Sequence, residues 1–229
     1  MKKKVLSLAL AVLMLTSLAL TGCQQKEAPV AADQVAVALF EMILKNNAAP
    51  AVELFGYTDE AGARADMGLD GSLYEEMADE VVSQFASQGF TASTEDVQAF
   101  IDAFMSMFSR VEMTAKVKES DEKAGTAVVT CTISTFDSDA LTTAMTDAMT
   151  EAMSDPNALL EADQDAIFSL ILNVMSSAIA DLEPTSNTTD FDVDFELGTL
   201  DINGKDRQAW LPVDAEAFGE AISTNALGA

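Results

Sequence analysis

The chain is predicted to be α+β, with helices packed on one face of a roughly four-stranded antiparallel sheet made of two hairpins. Two stretches predict the sheet. Val111, Met113, Ala115 and Val117 alternate with polar residues, as do Phe191, Val193, Phe195 and Leu197 with Asp190, Asp192, Asp194 and Glu196. That period of two belongs to strands with one wet face. Between and around them, apolar residues recur at three and four positions, which is the period of amphipathic helices.

The first stretch is a leader. Lys2, Lys3 and Lys4 precede an apolar run from Val5 to Leu20, which ends in Leu20-Thr21-Gly22-Cys23. A basic head, an apolar centre and small residues before a break describe a secretory signal peptide. The apolar run is short for a membrane span, which takes about 20 residues. The expected organisation is therefore a leader over 1–22, a lipid-anchored linker over 23–32, one α+β domain over 33–223 and a loose tail over 224–229.

Each later element has its own local cause. Asp33 is the expected N-cap of a first helix to about Lys45, whose inward residues are Val35, Leu39, Met42 and Ile43. Asn46-Asn47 and Pro50 are expected to end it. Gly56 to Gly71 holds four glycines and reads as loop with room for one helical turn. Ser72-Leu73-Tyr74-Glu75 has the form of a capping box opening a second helix with Met77, Val81 and Phe85 inward. Gly89 stops it. Ser93 or Thr94 caps a third, with Val97, Phe100, Ile101, Phe104, Met105 and Phe108 inward. The first hairpin turns between Ser120 and Gly125, and its return strand buries Val129, Cys131 and Ile133. Helices follow over about 137–155 and 157–182, interrupted by Pro156 and ended by Pro184. In the second hairpin Asn203-Gly204 is the preferred two-residue turn, which sets Trp210 near Leu197. Leu200 and Ile202 reverse the parity of the strand, so a bulge is expected at Gly198. A short helix from Ala215 to Ser223 closes the chain.

Composition excludes several functions. The chain has 12 Lys+Arg, 38 Asp+Glu and no His, for a net charge of −26. Its leader carries three of those lysines and no acid, so the mature chain is more acidic still. Nucleic-acid binding needs Lys and Arg clusters for phosphate contacts, and none is expected here. Polybasic attachment to anionic lipid fails for the same reason. At 49% hydrophobic residues the chain has ample material for a core. Without His, a Ser-His-Asp triad cannot be built. There is no phosphate-binding Gly-rich loop. No cofactor and no catalytic residue is assigned, and a non-enzymatic role is expected.

Three residue groups invite a chemical reading. Asp190, Asp192, Asp194 and Glu196 offer carboxylates for calcium, yet along a strand such side chains stand about 6.6–7 Å apart and do not converge by themselves. A solvated face that discourages edge pairing, paired with Lys116 and Lys118, is the expected role. The Met145, Met149, Met153 series suits a soft metal, but methionines at helical spacing more often fill a core or line a partner's groove. Cys131 sits on the apolar face of its strand, where a cysteine behaves as a small hydrophobe.

The stretch Leu20-Thr21-Gly22-Cys23 resembles the bacterial lipobox. That resemblance implies diacylglycerol on the Cys23 thiol, cleavage before Cys23, and palmitate-type acylation that anchors the chain to the cell membrane, facing outside the cytoplasm. The whole layout resembles a family of uncharacterised lipoproteins from Gram-positive bacteria, a domain of unknown function. The likeness rests on this motif, the helix at Asp33–Lys45, the segment Gly89-Phe90-Thr91-Ala92-Ser93-Thr94-Glu95-Asp96, the strand Val111–Val117, and a final turn with Trp210 before an acidic short helix. The final hairpin and Trp210 are also similar to secreted NTF2-like or cystatin-like domains. The resemblance implies a membrane-anchored extracytoplasmic module that binds an envelope protein or a small ligand. Its pocket is expected between helices and sheet, near Phe100, Phe104, Phe108, Phe191, Phe195 and Trp210. The alternative is a carboxylate-dependent enzyme with an NTF2-like cavity.

Overall fold

The computed structural model describes residues 29–67, 72–87, 93–154 and 164–228, together with Gly89 and Thr91. Leader, lipobox and most of the linker lie outside the described residues. So do the side chains of the capping box at Ser72–Glu75 and the break at Pro156. The elements, in chain order, are helices α1 (Ala32–Leu44), α2 (Ala49–Phe55), α3 (Glu60–Asp66), α4 (Ser72–Ser87) and α5 (Thr94–Phe108), strands β1 (Met113–Asp121) and β2 (Thr126–Ser134), helices α6 (Ser138–Ala152) and α7 (Gln164–Ala180), strands β3 (Thr188–Ile202) and β4 (Lys205–Pro212), and helix α8 (Ala215–Ala226). The four strands form one antiparallel sheet in the order β1-β2-β3-β4. The fold is α+β.

The chain divides into two compact units. One takes 1–70, 112–133 and 188–225, and the other takes 71–111, 134–187 and 226–229. The first contains the sheet with α1, α2, α3 and α8. Its interior holds Val35, Phe40, Met42, Phe55, Ile133, Phe195, Phe218 and Ile222, all essentially out of water. Phe195 of β3 meets Phe218 of α8 edge to face at 6.3 Å. The second unit is helical, and α4, α5 and α7 share an apolar cluster of Ala78, Val97, Ile101 and Leu172. Phe85 and Phe168 pack edge to face against it at 4.9 Å.

The alternation of the two hairpins translates directly into burial. In β2, Ala127, Val129, Cys131 and Ile133 are buried while the residues between them are not. In β3–β4, Leu197 stands opposite Trp210, as the Asn203-Gly204 turn requires. Both turn residues have positive φ, 55° and 75°. Such angles suit a two-residue hairpin, and Asn and Gly tolerate them best.

Four expectations are corrected. The N-cap of α1 is Ala31, and Asp33 lies inside the first turn, where its charge faces the positive end of the helix. Pro50 does not end a helix but starts one. α1 stops at Leu44 and Asn46 turns the chain with φ 52°, after which Pro50 occupies the first turn of α2. There its missing N–H costs nothing. The glycine-rich stretch contains α3, capped by the Asp59 side chain, which accepts from the Gly62 N–H at 2.8 Å. The β3–β4 ladder runs unbroken through Gly198, so there is no bulge between these strands. A Cβ at Gly198 would come within 2.8 Å of Leu211 Cδ1, so the glycine permits a close approach. The register shift lies in β1, between Val117 and Glu119.

Candidate binding cleft

The site is built on α1, α2 and β1 of the first unit, where α1 packs against both of the others. A cleft of about 580 Å³ opens there, lined by Asp33, Gln34, Val37, Ala38, Pro50, Glu53, Leu54 and Ala115. It is a shallow concavity, open to solvent along much of its extent. Helical periodicity explains the lining. Asp33, Gln34, Val37 and Ala38 occupy one face of α1 at spacings of three and four, while Val35 and Phe40 turn inward to the core. Pro50, Glu53 and Leu54 do the same on α2, whose Ala51 and Phe55 are buried. Ala115 belongs to the apolar face of β1 and is short, which leaves room above the sheet.

The cleft is amphipathic. Val37, Pro50, Leu54 and Ala115 are half-buried, so hydrocarbon remains in contact with water. Gln34 and Glu53 are exposed, and Asp33 is half-exposed with Oδ1 accepting from the Gln34 N–H at 2.9 Å. Among the described residues the lining contains two carboxylates, one amide and no cation. Neither Asp33 nor Glu53 joins an ion pair among the described residues. Ion pairs there include Lys45–Glu41, Arg64–Glu60, Arg110–Glu183 and Lys118–Asp192.

α2 is held in place by its C-terminus. The Arg207 guanidinium of β4 donates Nη1 to the Phe55 carbonyl at 2.7 Å, and Asn203 Nδ2 reaches the Gly56 carbonyl at 3.4 Å. Gly56 adopts φ 80°, and a Cβ there would lie 2.7 Å from Arg207 Nη1. α1 is fixed at its start. Val30 forms a parallel β-bridge with Ala209, donating to the Gln208 carbonyl at 3.3 Å and accepting from the Trp210 N–H at 3.4 Å.

The other singled-out residues are placed as follows. On β3, Asp192 accepts from Lys118 Nζ and Thr130 Oγ1, both at 2.6 Å, and Asp190 accepts from Thr132 Oγ1 at 2.7 Å. The Lys118 bond, then the Thr130 bond, holds the Asp192 carboxyl below the usual range. Asp194 and Glu196 are exposed on the same strand. Among the described residues no three His, Cys, Asp or Glu side chains are placed to share a metal ion. Of the α6 methionines, Met145 is half-buried while Met149 and Met153 are exposed, and Ala148 and Ala152 turn inward instead. Cys131 is fully buried, and burial pushes its thiol up to about 12. Phe195 and Trp210 are buried. Phe100, Phe104 and Phe108 are half-buried and form a series of ring contacts with Phe136 in the helical unit, edge to face at either end and tilted between Phe104 and Phe108. None of the phenylalanines nor Trp210 lines the α1–α2–β1 cleft. Cys23 lies outside the described residues.

Sequence reasoning missed this cleft. Asp33 and Glu53 carry no motif, and the helix that brings Glu53 to the cleft was hidden behind Pro50. The available signal was a proline followed by Ala-Val-Glu-Leu-Phe, which is a helix start.

No helix among the described residues is long and apolar enough to cross a membrane. No protein-family model matches the chain, and no curated protein matches it. Among solved structures the chain is similar to the crystal structure of ycdA from Bacillus subtilis subsp. subtilis str. 168, a protein described as a lipoprotein. The likeness has a TM-score of 0.55 at 14% identity and covers 85% of this chain. It spans 56% of that protein and is a likeness of fold.

Proposed function

We propose that this chain is a membrane-anchored lipoprotein of the cell envelope, facing outside the cytoplasm, and that it binds a ligand without transforming it. The observation that carries the reading is Leu20-Thr21-Gly22-Cys23 at the end of a short apolar run behind three lysines. A fold shared with a B. subtilis protein described as a lipoprotein supports it. Two acyl chains on Cys23 give lasting attachment, where one would be marginal.

Val30 defines how the tether meets the fold. Its bridge to Ala209 ties it to the sheet. From Cys23 to Val30 the chain reaches about 25 Å when fully extended, at ~3.3–3.6 Å per residue. The N-terminal turn of α1, and the cleft it lines, then work close to the lipid. The non-enzymatic reading draws on chemistry. The chain has no His, and its buried thiol keeps its proton at neutral pH. The amphipathic cleft offers a place to hold a ligand.

Labelling cells with a tagged fatty acid tests the anchor. The wild-type chain should carry the label and sediment with membranes. A Cys23→Ser variant should carry none, and labelled Cys23→Ser protein would overturn the reading.

A further inference from the structure

We propose that Asn203 is a modification site: a slow deamidation at Asn203-Gly204, held in check by the α2–α3 junction, whose product loosens the C-terminal end of α2. The nucleophile is the Gly204 nitrogen. No side chain shields it, a Cβ built there would meet nothing within 4 Å, and its N–H has no hydrogen-bond partner among the described residues. The electrophile is the side-chain Cγ of Asn203, which is exposed. Once a base removes the Gly204 amide proton, the nitrogen bonds to Cγ, the Cγ–Nδ2 bond breaks, and ammonia leaves with the returned proton. Water opens the resulting succinimide at either carbonyl, to aspartate or to an isoaspartyl linkage that adds a carbon to the backbone. Two features of the folded chain oppose ring closure. Asn203 stands at φ 55°. Closure requires Cβ and the Gly204 nitrogen to be nearly eclipsed about the Cα–C bond, and left-handed backbone, with ψ of about +47°, sets them nearly opposite. The side chain is also tied down. Its Oδ1 accepts from Thr58 Oγ1 at 3.2 Å and its Nδ2 donates to the Gly56 carbonyl at 3.4 Å, so the amide joins the β3–β4 turn to the end of α2. Both ties and the turn must open before the nitrogen reaches Cγ, so local opening sets the rate. Conversion replaces the Nδ2 donor with a carboxylate oxygen, which can only repel the Gly56 carbonyl. Because α2 carries Pro50, Glu53 and Leu54, the change reaches the cleft.

Peptide mapping by mass spectrometry, on the full chain held in mildly alkaline buffer, tests the site and its restraint. Isoaspartate should accumulate at Asn203 fastest in the urea-unfolded chain, and roughly tenfold or more slowly in the folded one. Thr58→Val removes the donor to Oδ1 at an exposed position while keeping the shape of the side chain. It should speed conversion in the folded chain about fivefold, the factor that one lost hydrogen bond gives to a local opening. Equal rates in folded wild type and folded Thr58→Val, or in folded and unfolded wild type, would overturn the restraint. Absence of conversion at Asn203 in the unfolded chain would overturn the site itself. An Asn203→Asp variant reads the consequence separately. Its Gly56 amide, which donates to the Val52 carbonyl at 2.9 Å, should exchange with solvent about fivefold faster than in wild type. Unchanged exchange at Gly56 would overturn the loosening of α2.

Discussion

Cys131 and Gly56 show how single residues set the limits of this fold. Cys131 faces the core from β2, and burial first, then the negative charge of Asp192, pushes its thiol up to about 12. An unfolded thiol titrates near 8.5. Because the folded value is the higher one, the stability tied to Cys131 is fully present below pH ~8.5. It is lost as pH rises from there toward 12. Tyr57 is pushed up to about 12 by burial and then by Asp66, and adds the same trend above its unfolded value near 10. Urea unfolding at stepped pH should therefore show a decline beginning near pH ~8.5. Cys131→Ala should delay that decline toward pH ~10, at a cost of about 1 kcal/mol at neutral pH. A thiol reagent should label native Cys131 only at the rate of opening, and immediate labelling would contradict its burial. Gly56 is constrained from two sides, by φ 80° and by Arg207 Nη1. Gly56→Ala should cost about 2 kcal/mol, from left-handed strain and displacement of the guanidinium from the Phe55 carbonyl. Urea unfolding measures it.

At the scale of elements, helix ends in both units are tied by side chains that come from distant sequence. Arg110 donates Nη1 to the Leu182 carbonyl at 2.6 Å and Nη2 to the Ala180 carbonyl, so it closes the C-terminus of α7. Its ion pair with Glu183 at 3.0 Å involves a largely exposed carboxylate. Surface pairs of that kind are worth little, whereas charged bonds to helix carbonyls carry about 1.5–3 kcal/mol. Arg110→Ala should thus destabilise by roughly that amount, Arg110→Lys should recover only part of it, and Glu183→Gln should change stability by less than about 0.5 kcal/mol. Chemical denaturation of the three variants decides whether the carbonyls or the ion pair dominate. At the start of α5, Asp96 accepts from Ser169 and Ser93 at 2.7 Å and from Asn173 at 3.2 Å, which holds its carboxyl below the usual range. What could be read in advance follows from the range of the interaction. The hairpins were legible because alternation and the Asn203-Gly204 turn act between near neighbours. So was the cap at Ser93, whose hydroxyl accepts from the Asp96 N–H three residues on; the Asp137 cap acts over the same short range and was missed. Long-range partners were not legible. Nothing local announces that Arg110 serves α7, or that Arg207 serves α2. Pro50 misled because the same missing N–H suits either the end of one helix or the start of the next. The cleft inherits that ambiguity, since α2 supplies Pro50, Glu53 and Leu54 to its lining.

The whole molecule carries a net charge of −26 with 38 acids against 12 bases, and its stability should bear the mark of that imbalance. Like charge at this density keeps a chain soluble but opposes compaction. Local attractions of opposite sign exist, among them Lys118 with Asp192 at 2.6 Å and Lys45 with Glu41 at 2.9 Å. The first is a surface pair, while the second is partly buried. The two effects respond oppositely to salt. Screening weakens the pairs, which lowers stability, and weakens the overall repulsion, which raises it. With three acids for each base the repulsive sum is over many more terms than the attractive one, so it should win. Raising sodium chloride from about 0.01 M to about 1 M shortens the screening length from ~30 Å to ~3 Å. We expect a gain of about 1–2 kcal/mol, read as a rise in Tm of roughly 2–8 °C for a chain of this size. Chloride rather than sulfate is the right salt, because sulfate also strengthens apolar burial and would raise Tm for a different reason. A Lys118→Met variant separates the contributions. It removes one attraction and adds one unit of net negative charge, so its Tm should lie below wild type at low salt and rise more steeply as salt is added. A wild-type Tm that falls with sodium chloride would mean that the few ion pairs outweigh the summed repulsion.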